Sequence, residues 1–376
     1  MANPDQLTLL TAPPGDAKRR KTHGRATLAD VARHAGVTAM TVSRTLREPG
    51  KVSVDTAQRV HMALQATGYA PNKSAGLLAS GRSRIVAALV PNIANSIFAE
   101  TIQGLSDALQ ADGLELLLTA TGYSLEREEH QIRAVLGWAP AALIVTGRHH
   151  APGAVQMMRR AQADGVPVIE IWDNSPGSSE FIQVGFNHTK AGRAMFMHLQ
   201  QCGYTDLVYV DSGVVGDLRA HERRHGFVAA STKAAKAAKA GCRTRIVSAP
   251  QEEPMAAGRW VMQRLLEEGD LPHAVAFSND YFAAGAILQA REQGTQIPQQ
   301  LGVMGFGDMS IAAQIGISTL AVPRYGIGFT TGTRVIALIA QQADNPPAEL
   351  TSTRRVPGDS VALQLVKRSS TRSIHV

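Results

Sequence analysis

Residues 26–53 read ATLADVARHAGVTAMTVSRTLREPGKVS, and the first part of the chain folds according to this stretch. Thr27 stands where a helix N-cap is wanted, with the acid Asp30 in the first turn. Leu28, Val31, Ala32 and Ala35 then recur at helical spacing. Gly36 is placed to end the helix in a left-handed conformation. Thr38 can cap a second helix running to about Leu46. On it Val42 and Leu46 share one face, and Ala39, Met40, Ser43 and Arg44 share another. A third helix starts after Ser53, turns Ala57, Val60 and Leu64 inward and stops at Gly68. Two short helices about a tight glycine turn, braced by a third, make a helix-turn-helix.

The charge agrees with that motif. Net charge is +7 overall, yet residues 17–84 carry 13 Lys and Arg against Asp30, Glu48 and Asp55, a local excess of +10. Residues 1–16 add two acids, and the remaining 292 residues hold 25 basic and 26 acidic groups. A small basic module is joined to a nearly neutral body, which points to a polyanion, nucleic acid before an anionic membrane. The small, polar face around Arg44 suits a major groove about 12 Å wide, where an arginine can bond guanine or phosphate. A solubilising tail accounts for Lys18–Lys21 alone, not for the excess that continues through the helices.

The body reads as α/β. Apolar strand candidates at Ile85–Val90, Leu114–Ala120, Ala141–Gly147, Val166–Trp172, Phe181–Phe186, Asp206–Val210, Thr244–Ala249, His273–Ser278, Leu301–Phe306, Ser318–Val322 and Val361–Val366 alternate with helices such as Ile97–Asp112 and Ser124–Leu136. Continuous apolar strands between helices mean buried parallel sheets. They are too many for one sheet, so two lobes are expected, with a small-molecule cleft at the carboxyl ends of the strands. With 44% apolar and 18% charged residues the chain is ordinary globular material. No stretch nears the roughly 18 apolar residues that span a bilayer. The N-terminus has no signal-peptide core, and Cys202 and Cys242 make no framework, so a cytoplasmic location is expected.

Enzyme motifs are weak. His221-Glu-Arg-Arg-His225 fits the HExxH pattern of zinc peptidases, but it lacks the further downstream histidine, and Arg223 and Arg224 crowd any metal with positive charge. Gly326-x-Gly328 has its third glycine at Gly332, one place late for a dinucleotide fingerprint, and reads as helix–strand packing. Adjacent His149 and His150 point in different directions. Catalytic residues, metal ligands and cofactors are therefore not expected.

The stretch quoted above, followed by GYAPNKSAGLLASGRS at 68–83, resembles the headpiece and hinge of the lactose/galactose repressor (LacI/GalR) family. The likeness continues through SNDYFAAGA, LGVMGFGD and the ending LQLVKRSS. TAMTVSRTLREP, LIVTGRHHAP, VIEIWD, VGFNH and the VPR of Val322–Arg324 resemble its gluconate-repressor branch. The resemblance implies an all-α helix-turn-helix headpiece with a hinge helix, then a two-lobed body like a periplasmic sugar-binding protein. The expected division is a basic, disordered tail at 1–24, the DNA-binding domain at 25–71, the hinge at 72–83 and the effector-binding and dimerisation body at 84–376.

By the same resemblance, DNA is met by Thr27, Thr38, Ala39, Met40, Thr41, Ser43 and Arg44, and in the hinge by Asn72, Lys73 and Leu78. Ala39, Met40 and Arg44 face the bases, and Ala39 and Met40 can make only apolar contacts, for example with a thymine methyl. Leu78 matches the leucine that wedges a minor-groove step. Effector positions map to Phe98, Arg148, Glu170, Arg223, Asn279, Asp308 and Arg324. Where many members carry an acid after the aromatic of the GF/YDD motif, Gly307 follows Phe306, and Asp308 stands one place on. Loss of that acid and a convergence of three arginines favour a sugar acid such as gluconate or 2-ketogluconate over a neutral hexose. At least one of these arginines is expected to pair only with Asp173 or Asp280. A repressor acting as a homodimer, or a tetramer, on operator DNA is implied. A solute-binding protein is the alternative from another class.

Overall fold

The computed structural model describes residues 26–70, 83–94, 97–175, 177–237, 242–251, 253–344 and 358–372. They divide into two units, one on each side of the segment 71–82. No helix among them is long and apolar enough to cross a membrane.

The first unit is the three-helix module. Helix α1 (Leu28–Ala35) opens on a capping box: Thr27 Oγ1 accepts from the Asp30 amide at 3.3 Å, and the Asp30 carboxylate accepts from the Thr27 amide at 2.8 Å. It ends at Gly36, in the left-handed region at φ 64°. Helix α2 (Ala39–Arg47) is capped by Thr38, and α3 (Val54–Thr67) by Ser53. Val31, Ala32, Ala35, Val42, Val60 and Ala63 form the core. Two expectations are corrected. Leu46 is 37% exposed, and Thr45 takes its place inside. Ala63 is buried where Ala57 was expected, and Leu64 packs at the edge. The alanine-lined core is narrow, and the Thr45 hydroxyl donates to Thr41 O at 2.8 Å, so burying it leaves no polar group unpaired.

The second unit has two lobes. In the first, β1 (Ile85–Val90), β2 (Glu115–Ala120), β3 (Ala142–Thr146), β4 (Val168–Ile171), β5 (Ile182–Gly185) and β11 (Asp359–Ser360) form one sheet in the order β11-β5-β4-β3-β1-β2. In the second, β6 (Asp206–Asp211), β7 (Arg243–Ser248), β8 (Ala274–Phe277), β9 (Gly302–Gly307), β10 (Ser318–Ala321) and β12 (Gln364–Val366) follow the order β12-β10-β9-β8-β6-β7. All pairs are parallel except β10–β12. The one strand expected at Val361–Val366 is two, because the chain passes there from one lobe to the other. Residues 359–360 pair with β5, and residues 364–366 pair with β10.

Helices α4 (Ala99–Ala111), α5 (Leu125–Leu136), α6 (Pro152–Ala163) and α12 (Arg324–Asp344) cover the first lobe. Helices α7 (His188–Gln201), α8 (Leu218–Ala237), α9 (Pro254–Glu267), α10 (Asp280–Glu292) and α11 (Ser310–Ile315) cover the second. Three helix pairs cross by one device. A Cβ on Gly192 would overlap Arg223 O, and one on Gly226 would overlap Thr189 O, so α7 and α8 touch backbone to backbone. Gly104 and Gly328 do the same for α4 and α12, and Gly258 and Gly285 for α9 and α10. Gly328 thus serves helix–helix packing, not the helix–strand packing expected.

A methyl group at Gly226 meets a carbonyl oxygen that cannot swing aside as a side chain would. Gly226→Ala is therefore expected to destabilise the body by about 2–3 kcal/mol, the upper range for overpacking. Gly50→Ala, with nothing within 4 Å of the new methyl, is expected to be near neutral. Thermal unfolding followed by calorimetry checks the contrast, and equal effects at the two sites would refute it.

Candidate functional site

The outer face of α2 is built by its cap. Thr38 Oγ1 accepts from the Thr41 amide at 3.2 Å and lies 2.9 Å from Thr41 Oγ1, which fixes the first turn and presents Ala39 and Met40 outward. Met40 is 72% exposed, an apolar side chain held in water with no packing role in this unit. Arg44 is exposed on the same side. Arg33, Lys51 and Arg59 each pair with a neighbouring carboxylate, whereas Arg44 has none among the described residues. Thr27 is spent on its capping box, and Ser43 is half-buried. Asn72, Lys73 and Leu78 lie outside the described residues.

The body places its cleft by topology. Strand order reverses between β1 and β3 in the first lobe and between β6 and β8 in the second. At such points the chains leave the carboxyl ends in opposite directions and open a crevice. Pro91, Thr121, Tyr123, Thr146, Arg148 and His149 from the first lobe face Gly216, Leu218 and Arg219 from the second around a narrow cleft of about 30 Å³.

Arg219 and Arg223 stand one turn apart on α8 and are only 9% and 7% exposed. Arg219 Nη1 donates to Thr146 O at 3.1 Å across the cleft, and its guanidinium lies 5.8 Å from the Phe98 ring centroid. The Arg223 guanidinium lies 4.3 Å from the Phe306 ring centroid, with Nη1 2.9 Å from His188 Nδ1. His188 Nε2 lies 2.7 Å from Trp172 O, so Nε2 donates to the carbonyl and Nδ1 accepts from Arg223. Burial first, then Arg223, holds His188 well below the usual histidine range and keeps it neutral. Among the described residues no carboxylate pairs with Arg219 or Arg223.

The other expected arginines are paired. Arg148 Nε is 3.3 Å from Asp173 Oδ2, and Nη2 donates to Glu222. Burial raises Asp173 to about 6, with Arg148 opposing. Arg324 Nη1 donates to Gly307 O, and Nη2 lies 2.5 Å from Glu100 Oε1. Arg324 and Asp308 line a separate groove beside the lobe crossovers, where Asp308 Oδ1 is 2.7 Å from Arg368 Nη1. Phe98 packs edge-on against Trp172 at 5.0 Å. Asn279 Oδ1 accepts from the Tyr281 and Phe282 amides, capping α10. Glu170 is buried in the first lobe, accepting from Ser179 Oγ and Gln183 Nε2 at 2.7 Å each. Of the expected effector residues the structure places Arg148 in the cleft lining, sets Phe98 and Arg223 behind it as neighbours of Arg219, and sets Glu170, Asp308 and Arg324 apart from it.

Arg219 was missed by the sequence reading, though its position four residues before Arg223 is a legible signal. Tyr123 and Trp172, both non-glycine residues at positive φ (60° and 64°), were also missed. No periodicity marks them. The HExxH pattern dissolves: Glu222 engages Arg148 and His149, and His225 is exposed. Among the described residues no three His, Cys, Asp or Glu side chains form a metal-binding group.

Residues 27–72 match the family described as bacterial regulatory proteins, lacI family, and residues 83–360 match its periplasmic-binding and sugar-binding domain. The chain belongs to the LacI family. It is a DNA-binding transcriptional regulator of that family. A relative, the HTH-type transcriptional regulator GntR of Pseudomonas aeruginosa, is 36% identical over 86% of this chain and 92% of its own. A LacI-family regulator from Silicibacter pomeroyi has a solved structure at 31% identity and a TM-score of 0.77, covering 93% of this chain and all of that one. The Lac repressor dimer bound to operator and the anti-inducer ONPF matches at 21% identity and a TM-score of 0.75, covering 93% of this chain and all of that one, a likeness of fold.

Behind the cleft wall His150 is buried between two acids. Nδ1 bonds Glu128, and Nε2 is 3.4 Å from Glu170. Burial disfavours its charge, but Glu128 and Glu170 outweigh that and raise it to about 9. A folded value above the unfolded one of about 6.5 means stability fully present below pH ~6.5 and lost as pH rises through ~9. Melting curves from pH 6 to 9.5 should show this fall in the parent protein and its loss in His150→Gln. An identical fall in both would remove His150 as the cause.

Proposed function

We propose that this LacI-family regulator is a repressor of sugar-acid utilisation genes. It would bind a pseudo-palindromic operator as a homodimer through the α2 face and a gluconate-type sugar acid in the body cleft. The observation that carries the ligand class is the pair Arg219 and Arg223, two buried guanidiniums that form no ion pair among the described residues, with Asp173 and Glu222 acting on Arg219 only from beyond contact. Burying a charge without a partner is costly, and a carboxylate held by arginine forks offsets the cost. Asn279 spends its oxygen on a helix cap, leaving its amide NH₂ to bond a sugar hydroxyl. The resemblance to gluconate-type repressors supports the same class. Ligand binding would alter lobe closure and, through the hinge at 72–83 with Leu78 as wedge, operator affinity.

Two measurements test the reading. Arg223→Gln or Arg219→Gln is expected to weaken gluconate or 2-ketogluconate binding by roughly 2–5 kcal/mol in calorimetry, the range for removing one partner of a buried charged pair. Tight binding of a neutral hexose, with no binding of either sugar acid, would overturn the ligand class. For DNA, Arg44→Ala is expected to weaken specific operator binding by about 1–3 kcal/mol and to relax specificity at one base pair. Unchanged affinity in band-shift titrations would remove Arg44 from the base contacts.

A further inference from the structure

Glu222 lies on α8 between the two unpaired arginines, yet its carboxylate reaches to the opposite lobe. Its Oε1 accepts from Arg148 Nη2 and lies 2.8 Å from His149 Nε2. The grip is incomplete in two ways. It runs through one oxygen, whereas a carboxylate on a guanidinium fork can make two parallel bonds. His149 Nε2 also lies 2.7 Å from Arg148 Nη1, and one ring nitrogen cannot accept from the arginine and donate to the acid at once. Arg148 has a second counter-ion, Asp173, on its Nε side, so it keeps a partner if Glu222 leaves.

We propose that Glu222 is a built-in competitor, a carboxylate of the chain itself that occupies the Arg148 fork across the cleft and that an anionic ligand must displace. The inference rests on the sugar-acid reading above and deepens it, because it makes Glu222 a determinant of which charge the cleft accepts. A neutral sugar gains nothing from displacing a carboxylate from Arg148. An anion gains the fork and must also approach the negative charge of Glu222. Removing that charge should therefore help anions alone. A residue that served only to hold the fold would change charged and uncharged ligands together.

The test uses the full-length protein, with gluconate and 2-ketogluconate as probes and glucose as the uncharged control. In calorimetry Glu222→Gln is expected to bind gluconate about tenfold more tightly, a modest share of the repulsion between two like charges in a partly buried cleft. Any glucose affinity should stay unchanged. Glu222→Asp, one methylene shorter but still charged, should fall between parent and Gln variant. With a donor–acceptor dye pair, one dye on each lobe, Glu222→Gln without added ligand should show a wider interlobe distance than the parent. Equal or weaker gluconate binding by Glu222→Gln would overturn the proposal, as would a parallel change for glucose. If neither parent nor variant binds either sugar acid, the sugar-acid reading falls. The dye distance still decides whether Glu222 holds Arg148 across the cleft, and an unchanged distance overturns that too.

Discussion

Backbone contact between α7 and α8 at Gly192 and Gly226 sets where the cleft's charges stand. With no side chain between them, the two helices approach until Gly192 lies on the carbonyl of Arg223 and Gly226 on that of Thr189. That approach brings His188, at the first turn of α7, to 2.9 Å from the Arg223 guanidinium. His188 in turn reaches back to Trp172 O in the first lobe. A helix crossing thereby places an arginine under the Phe306 ring and ties it to the other lobe through a neutral histidine. The same device at α4–α12 and α9–α10 holds the covering helices of both lobes, so a handful of glycines sets the geometry of the body.

The cleft is an electrostatic arrangement with a surplus. Arg148 and Arg324 are balanced in contact by Asp173, Glu222 and Glu100, whereas Arg219 and Arg223 contact carbonyls, a histidine, the Tyr209 hydroxyl and ring faces, with Asp173 and Glu222 felt by Arg219 only from farther off. Carbonyl bonds and aromatic faces soften the cost of burying a guanidinium without cancelling its charge. On the reading proposed above, a ligand carrying negative charge would be recognised by sign before it is recognised by shape. Beneath this surface, the buried Glu128–His150–Glu170 cluster fixes the loop that carries Arg148 and His149.

The two units divide the work by their chemistry. The three-helix module buries only small side chains and keeps Met40 and Arg44 outside, the reverse of what stability alone would ask of a methionine. The body buries long apolar strands in two sheets, rigid supports for side chains at their carboxyl ends.

The sequence by itself determined the helix caps at Thr27, Thr38 and Ser53, the stop at Gly36, the strand set and the two-lobed α/β body. These signals are local: a cap joins residues three apart, and strand periodicity shows within six residues. It misplaced Leu46 and ran one strand through the crossover at 361–363, because burial and sheet membership depend on what packs from elsewhere. Only the tertiary structure decided which arginines lack a counter-ion. Arg148 meets Glu222 across 74 residues of chain, and Arg324 meets Glu100 across 224. The spacing sets Arg219 one turn from Arg223, but only the packing of α8 against the first lobe brings it to Thr146 O. Charge pairing falls off with distance in space and is indifferent to distance along the chain, so no spacing in the sequence could reveal it.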